Sequence, residues 1–434
     1  MPYTISVHTL GCKVSQYESE AILEAAISRG FTKADGVCDV YIINTCTVTA
    51  EGDRKCRQLI RRLVKTAPDA KILVCGCYSQ VAPEEIAAIK GVDYVCGTRD
   101  KLCIVDRALA LLAGESIPKI EVSSLENAPF EKMCITHAPR TRAYVKIEDG
   151  CENRCAYCKI PDARGPVRSK TIADTVAEVS ALAKSGVREV VLTGIETASF
   201  GRDSGESLAD LLFAVEEIDG IERIRLGSLE PTLMRPAFIE KIATLKKLTP
   251  HFHLSMQSGC SRTLASMRRK YNAETALQNI KAVRAAIPGV QFTTDFIVGF
   301  PGETDEDFAK TVAFVKEARF LQTHIFKYSK RQGTVAATMP DQVPEDVKHA
   351  RSQELIAVCK TISDRLMQEE IASRPVQTVL FEQTVDGMWS GHTASFIEVR
   401  VKSDRDLHGE ILPVQFQTLC ATYIKGILTE SETF

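Results

Sequence analysis

Three cysteines lie within eight positions of the segment CENRCAYCKIP, at Cys151, Cys155 and Cys158. Thiolates are good ligands for soft metals, but three of them are one short of a closed tetrahedral zinc site. No histidine follows soon after them, and the nearest upstream is His137. A 4Fe-4S cluster held by three cysteines would leave one iron open for a substrate or cofactor. The pattern therefore favours such a cluster, with a zinc half-site or packed core cysteines as the alternative.

A second set of three cysteines is spread over the N-terminal part of the chain. Cys12, Cys46 and Cys77 each follow a short apolar run that is typical of a β-strand. In a parallel sheet the ends of such strands lie along one edge, where distant residues can share a ligand. Spacing alone, however, favours the simpler role of buried core thiols. Cys75 competes with Cys77, and we choose Cys77 because it lies where the strand ends.

The remaining pattern predicts the elements that would position these cysteines. Residues 4 to about 120 alternate apolar runs with helical stretches, which predicts a doubly wound parallel sheet. From Arg142 six strands alternate with amphipathic stretches, which predicts a partial (β/α)6 barrel with Cys151 on its first βα loop. A long helix from about Glu345 to Ala372 and the four short strands TVLFEQ, FIEVRVK, GEILPVQFQTL and YIKGIL then indicate a small all-β barrel. The predicted fold class is therefore α/β, with domains at 1–120, 141–372 and 373–434 and a linker at 121–140.

The composition of the chain narrows the class of protein and its expected location in the cell. The 434 residues carry a formal net charge of -2, which describes a globular chain and does not by itself predict a nucleic-acid partner. The N-terminus lacks a signal-peptide pattern, and no apolar run is long enough to cross a membrane. We therefore expect a cytoplasmic protein with no membrane partner, whose 15 cysteines are thiols or metal ligands.

Several segments resemble known families. CENRCAYCKIP resembles the cluster motif of the radical S-adenosylmethionine (SAM) enzymes, in which SAM chelates the fourth iron. GCKVSQYE, NTCTVT, CGCYSQ, LTGIE, MQSG and IVGFPGET extend the resemblance over nearly the whole chain, to the methylthiotransferases. That family combines an auxiliary-cluster domain, a radical SAM barrel and a C-terminal TRAM domain. GCKV and CGCYSQ look most like the branch that acts on N6-threonylcarbamoyladenosine in tRNA, although Ser15 replaces the asparagine common in the family.

The resemblance implies SAM and two 4Fe-4S clusters, one on each set of three cysteines. It also implies SAM contacts along the barrel, at Tyr157, Thr193, Gly194, Ser228, Glu230, Val298, Gly299 and Pro301. Because the adenine C2-H bond is unactivated, radical chemistry must come from the cofactor. In the implied reaction a SAM-derived radical removes that hydrogen, sulfur from the auxiliary cluster replaces it, and a second SAM supplies the methyl group. We nominate no side chain as a catalytic acid or base.

The implied partners are the anticodon stem-loop of tRNA, a one-electron donor such as flavodoxin or ferredoxin, a sulfur donor and the iron-sulfur assembly machinery. Basic clusters are the predicted contacts with RNA phosphates. They are a helix carrying Arg54, Lys55, Arg57, Arg61, Arg62 and Lys65, and the loop residues Arg164, Arg168, Arg268, Arg269, Lys270, Lys327, Lys330 and Arg331.

Three alternative functions stay open. The same chemistry on isopentenyladenosine in tRNA is the first, and on a ribosomal-protein aspartate the second, which the mildly acidic C-terminal barrel would suit. A non-catalytic, metal-containing RNA-binding protein is the third. Binding to a polynucleotide should weaken steeply as salt rises, whereas binding to a protein should depend weakly on salt.

Overall fold

The computed structural model describes residues 3–138 and 140–429. The N-terminal part is a six-stranded parallel sheet with helices on both faces, as the alternating pattern predicts. Its elements are β1 (Thr4–Thr9), α1 (Lys13–Ser28), β2 (Thr32–Lys33), β3 (Val40–Thr45), α2 (Ala50–Thr66), β4 (Lys71–Gly76), α3 (Cys77–Val81), α4 (Pro83–Ala87), β5 (Tyr94–Cys96), α5 (Cys103–Leu112) and β6 (Ile120–Glu121). The strand order is β2-β1-β3-β4-β5-β6.

The central strand β3 shows why the sheet is covered on both faces. All six of its residues are buried. Val40 and Ile42 pack in the same cluster as residues of α1 and α5, whereas Tyr41 and Ile43 pack with residues of α2. Successive side chains of a strand point to opposite faces, so a strand buried on both sides requires a continuous apolar run.

The central part is a partial barrel of parallel strands with helices outside. Its elements are β7 (Arg142–Lys146), β8 (Glu148–Asp149), α6 (Ile160–Arg164), β9 (Arg168–Ser169), α7 (Ile172–Lys184), β10 (Glu189–Thr193), α8 (Leu208–Glu216), β11 (Arg223–Leu226), β12 (Ser228–Leu229), α9 (Pro236–Ile242), β13 (His251–Gln257), α10 (Ser261–Ser266), α11 (Ala273–Ala286), β14 (Gln291–Val298), α12 (Asp305–Ala318) and β15 (Gln322–Lys327). The six predicted strands correspond to β7, β10, β11, β13, β14 and β15.

The barrel wall is interrupted at Gly227, between β11 and β12. The strands therefore form two sheets, β7-β10-β11 and β12-β13-β14-β15, joined where β11 continues into β12. The Gly227 N-H donates a hydrogen bond to the Leu192 carbonyl oxygen at 2.8 Å. A Cβ at this position would lie 3.1 Å from Thr193 Oγ1, so the close approach of the two chains favours glycine.

The N-terminal sheet domain contacts both edges of the partial barrel. At one edge α1 packs on β7, and the Tyr17 hydroxyl donates hydrogen bonds to the Met133 carbonyl oxygen at 2.5 Å and to Glu178 at 3.0 Å. At the other edge Arg331 Nη1 lies 2.7 Å from an Asp53 carboxylate oxygen. The described residues between 122 and 141 form no helix or strand, yet Met133 and Ile135 are buried in the shared core.

The C-terminal part is a long helix followed by a closed five-stranded barrel. The elements are α13 (Glu345–Ser373), β16 (Val376–Val385), β17 (Met388–Thr393), β18 (Glu398–Val401), β19 (Ile411–Leu419) and β20 (Ile424–Leu428). Strand β17 was not among the strands that the sequence indicated, because its mixed, glycine-containing sequence shows little alternation. Its pairing with β16 and β18 makes it a strand. Among the described residues no helix is both long and apolar enough to cross a membrane.

Candidate active site

The loop that carries the barrel cysteines is held by backbone hydrogen bonds on both sides. The Cys151 N-H donates to the Gly165 carbonyl oxygen at 3.0 Å, and the Ala156 N-H donates to that of Met267 at 3.0 Å. The neighbouring Tyr157 ring meets Phe300 edge-on, with centroids 6.4 Å apart. The loop therefore lies on a small apolar cluster at the C-terminal ends of the barrel strands.

The three thiols on this loop lie close enough to influence one another. Burial, with a smaller contribution from the neighbouring thiols, raises the pKa of Cys151 and that of Cys158 to about 12. Arg269 Nη1 donates a hydrogen bond to the Cys155 sulfur at 3.2 Å. Thiols of this kind release their protons when a metal binds, because the positive charge of the metal stabilises the thiolate form.

The second set of cysteines meets at one edge of the N-terminal sheet. Cys12 precedes α1, Cys46 follows β3, and Cys77 begins α3. Burial, with smaller contributions from Cys77 and Cys12, raises the pKa of Cys46 to about 12. The thiol of Cys75 instead lies in the core next to that of Cys96. The edge therefore brings together the three cysteines chosen from the sequence and separates Cys75 from them.

The described residues contain no group of three cysteine, histidine or carboxylate side chains that could hold a single metal ion. A zinc ion would need its ligands to converge on one point. A 4Fe-4S cluster binds each thiolate through a different iron, so its ligands stand further apart. Each set of three thiols has the number of ligands that a 4Fe-4S cluster with one open iron requires.

A buried charge network lies next to Cys77. Arg164 Nε donates a hydrogen bond to the Cys77 sulfur at 3.2 Å, and its Nη1 lies 2.5 Å from Glu18. Lys101 and Lys146 also bind Glu18, at 2.8 and 3.2 Å. The side chains of Arg164, Glu18, Lys101 and Lys146 are all 0% exposed. Three cations thus surround Glu18 and the nearby Asp149, and the excess of positive charge suits an anionic thiolate cluster at Cys77.

Two buried carboxylates near the barrel cysteines have an unused oxygen. Glu196 Oε1 and Glu230 Oε1 are buried and form no hydrogen bond with a described residue. Arg269 Nη2 forms an ion pair with Glu230 Oε1 at 3.4 Å but lacks hydrogen-bond geometry. Burial, followed by the charge of Glu230, raises the pKa of Glu196 to about 7. Unused buried acceptors fit the ammonium and hydroxyl donors of SAM.

The other predicted SAM contacts lie at or just after the C-terminal ends of β10 and β14 and at the junction of β11 and β12. Thr193 ends β10, and at Gly194 a Cβ would lie 2.5 Å from the buried Glu148 carboxylate. Ser228 begins β12. Val298 ends β14 with its side chain in the core, so only its backbone is available to a ligand there. The next two of these positions, Gly299 and the buried Pro301, follow at the turn. The contacts of these residues with SAM stay predictions.

Comparison with known proteins finds family matches for both parts of the chain that carry a set of three cysteines. The model of the radical SAM superfamily matches residues 145–315, and the one described as uncharacterized protein family UPF0004 matches residues 4–97. Threonylcarbamoyladenosine tRNA methylthiotransferase MtaB of Bacillus subtilis is 40% identical over 440 residues, covering 98% of this chain and 96% of that protein. The chain belongs to the radical SAM tRNA methylthiotransferases. The predicted family is confirmed.

Other relatives of this family carry a different substrate in their names. The tRNA-2-methylthio-N(6)-dimethylallyladenosine synthase of Akkermansia muciniphila is 34% identical, covering 97% of this chain and 98% of that protein. The structure of the radical SAM methyltransferase TsrM from Kitasatospora setae superimposes with a TM-score of 0.58 at 15% identity, covering 89% of this chain and 79% of that one. This likeness confirms the fold. Membership of the family implies an enzyme that uses SAM and a 4Fe-4S cluster and acts on tRNA.

Several cations that the sequence assigned to RNA are in fact structural in this member of the family. Arg164 is fully buried in the network beside Cys77, and Arg269 has a 5% exposed side chain beside Cys155. Arg168 is 7% exposed, and Arg331 pairs with Asp53. These four predictions of phosphate contact are wrong, because each guanidinium is enclosed by protein. The other predicted cations that remain exposed are Arg54, Lys55, Arg61, Arg62, Lys65, Arg268, Lys270, Lys327 and Lys330.

The structure also places residues at the site that the sequence analysis did not nominate. Glu196 closes the motif LTGIE and Glu18 closes GCKVSQYE, so both lie within the motifs that carried the family resemblance. Arg269 was predicted only as a contact with RNA phosphates. The roles of these residues depend on partners far away in the chain, which spacing cannot indicate.

Proposed function

We propose that this enzyme inserts sulfur at C2 of N6-threonylcarbamoyladenosine, next to the anticodon of tRNA, and that the sulfur is then methylated. We further propose that it does so with a second 4Fe-4S cluster on Cys12, Cys46 and Cys77. A one-electron donor such as flavodoxin or ferredoxin, a sulfur donor and the iron-sulfur assembly machinery are the partners that this chemistry requires.

One observation supports the second cluster above all. Arg164 lies six residues after Cys158, at the end of α6, the short helix that follows the first set of cysteines. Its guanidinium nevertheless donates a hydrogen bond to Cys77, in the second set, at 3.2 Å. α6, which follows the first set of cysteines, therefore packs on α3, which begins with Cys77 of the second set, and this contact supports a short distance between the two sets. Radical formation at one and sulfur delivery at the other need such proximity, because both must reach the same carbon.

The relatives support the substrate. The chain is 40% identical to a relative named for threonylcarbamoyladenosine and 34% identical to one named for dimethylallyladenosine. Identity is thus higher to the former, over nearly the full length of both proteins. The preference agrees with the resemblance of the GCKV and CGCYSQ motifs.

The protein itself contributes binding, orientation and exclusion of water. When bound, the cluster and SAM supply the radical chemistry that the unactivated C2-H bond requires. Glu196 and Glu230 offer buried acceptors to SAM, and Arg269 ties Glu230 to Cys155. The buried network around Glu18 closes the interface between the two domains against water. The chain needs no acid-base pair for this role.

The decisive experiment is mass spectrometry of nucleosides from digested tRNA, in cells with and without the gene. We expect deletion to remove 2-methylthio-N6-threonylcarbamoyladenosine and to let its unthiolated precursor accumulate, with both effects reversed by the wild-type gene. Loss of the isopentenyl nucleoside instead would contradict the proposed substrate. An unchanged profile would contradict the function and would direct attention to a ribosomal-protein aspartate or to a non-catalytic role.

The exposed face of α2 gives a separate prediction about tRNA binding. Four exposed cations on this helix lie within about three turns and form a basic face: Lys55, Arg61, Arg62 and Lys65. If they contact phosphates, replacing all four with alanine will weaken tRNA binding. The slope of log K against log salt should then become shallower by about 3.

A matched control removes four exposed cations from the outer surface of the barrel: Lys184, Lys241, Lys246 and Lys316. This variant has the same change of net charge, so it should show nearly the wild-type slope. Fluorescence anisotropy with a labelled anticodon stem-loop at several salt concentrations measures both variants. Equal slopes for the two variants would show that α2 does not contact the phosphates.

A further inference from the structure

Three neighbouring strands of the barrel share a polar cluster on their inward faces. On β14, Phe296 packs on Phe314 of α12, outside the barrel wall. Successive side chains of a strand alternate, so Asp295 points inward, into the lumen that the strands enclose. His253 of β13 and His324 of β15 form hydrogen bonds with Asp295, at 3.2 and 3.0 Å. Both histidines therefore lie on the lumen side as well.

The carboxylate of Asp295 fixes the orientation of both rings. Burial opposes its ionisation, but the hydrogen bonds with His253 and His324 outweigh burial and hold the pKa of Asp295 below its usual range. An ionised carboxylate only accepts hydrogen bonds, so His253 Nε2 and His324 Nδ1 both carry a hydrogen. The second nitrogen of His253 bonds to Thr293 Oγ1 at 2.9 Å. That of His324, Nε2, bonds to no described residue, and its side chain is 51% exposed, so one oriented nitrogen is left for a ligand.

An exposed phenylalanine lies next to this nitrogen, nearer the C-terminal ends of the strands. Phe326 follows His324 by two residues on β15, so it points to the same face. Its neighbour in the register of β14 is Ile297, which follows Asp295 by two residues. Phe326 is 46% exposed, although it is a large apolar side chain on the inward face of a barrel. An exposed aromatic ring of this kind is a platform on which a nucleobase can stack.

The polar cluster lies deep enough in the lumen to meet the N6 substituent of a bound adenine. Val298, a predicted SAM contact, follows Asp295 by three residues on β14, which corresponds to about 10 Å along the strand. The C2-H and C6-N6 bonds of adenine diverge. An adenine whose C2 faces the cysteines therefore directs its N6 substituent deeper into the lumen. We propose that the target adenine stacks on Phe326 and that its N6 substituent forms a hydrogen bond with His324 Nε2.

This hydrogen bond distinguishes a polar substituent from a hydrocarbon. The urea group of threonylcarbamoyladenosine has N-H donors and a carbonyl acceptor, so it can pair with His324 Nε2 in the neutral or the protonated ring. A dimethylallyl chain would separate the nitrogen from water and offer it no partner, which costs free energy. The inference rests on the proposed function and identifies His324 as the residue that selects the substrate, with Asp295 as the residue that positions it.

The test measures the binding of two anticodon stem-loops to the reconstituted full-length enzyme. They carry threonylcarbamoyladenosine or dimethylallyladenosine at the target position. We expect wild type to prefer the first, and His324→Phe to reduce the ratio of the two affinities by about five- to tenfold. Phe326→Ala should weaken both stem-loops by about ten- to a hundredfold and keep the ratio. His349→Phe, on the exposed side of α13, is the matched control and should change neither affinity.

Two conservative variants separate a contact with the base from a purely structural role of His324. Glutamine places its amide group near the position of histidine Nε2, whereas asparagine places its amide group near that of Nδ1. His324→Gln should therefore keep most of the wild-type preference. His324→Asn retains only the contact with Asp295 and should lose the preference.

Three outcomes overturn the proposal. Equal binding of both stem-loops by wild type does so without any variant, so a variant that fails to fold leaves the test intact. A His324→Phe protein with wild-type iron content and the wild-type ratio does so as well. The third is a preference that His324→Asn keeps and His324→Gln loses, because only the bond to Asp295 would then matter. The failure of the proposed function looks different, because the enzyme would thiolate the dimethylallyladenosine stem-loop and not the threonylcarbamoyladenosine one.

Discussion

Replacing Cys151, Cys155 and Cys158 with alanine is expected to abolish the reductive cleavage of SAM and to halve the iron bound by the reconstituted protein. The reason is that these three thiols share the loop between β8 and α6, at the C-terminal ends of the barrel strands. Nearby, Glu196 and Glu230 each have a buried carboxylate oxygen that forms no hydrogen bond with a described residue. Cleavage is measured as 5'-deoxyadenosine formed under dithionite, and iron by colorimetric assay. Cleavage that survives in this variant would contradict the assignment of the SAM-binding cluster.

The reciprocal variant replaces Cys12, Cys46 and Cys77. It should also keep half of the iron, and it should still cleave SAM, but it should form no methylthiolated nucleoside. The remaining iron in each variant shows that the other half of the protein has folded. Wild-type product from this second variant would refute the auxiliary cluster, while the cleavage assay would be unaffected.

Replacing Arg164 with methionine is expected to have the second large effect, on both stability and redox behaviour. Arg164 is fully buried and binds Glu18 as well as Cys77. Breaking a buried ion network by removing one partner typically costs about 3–5 kcal/mol, because the remaining charge stays enclosed. The loss of a donor to the Cys77 thiolate should also shift the auxiliary cluster to a more negative potential. Denaturant unfolding of the apoprotein and potentiometry followed by electron paramagnetic resonance measure the two effects.

Two controls separate these effects from a general loss of charge. Lys281→Met breaks an ion pair with Glu317 whose side chains are 59% and 54% exposed, so it should cost about 1 kcal/mol or less. Arg269→Met removes the donor to Cys155 and should shift the other cluster instead. An Arg164→Met protein with the stability of Lys281→Met would show that the buried network contributes little. If Arg164→Met and Arg269→Met each shifted the reduction potentials of the two clusters equally, the assignment of one arginine to each cluster would be contradicted.

The strands of both α/β parts were predictable because their hydrophobic pattern is local. A buried parallel strand such as β3 needs a continuous apolar run, and that run is visible without knowledge of its neighbours. The order of the strands along each part then implies a shared edge for their ends. Strand β17 was missed because its short, mixed sequence becomes a strand only through its pairing with β16 and β18.

The sequence by itself determined the family, the fold class and the two sets of cysteines, because each depends on residue types at short spacing or on strand order. Only the tertiary structure decided what the charged residues do. The sequence predicted Arg164 and Arg269 as basic loop residues, but the fold encloses each of them next to a cysteine thiol. The reason is physical: the role of a charge depends on its burial and on its partners, and the two cysteine partners lie 87 and 114 residues away in the chain.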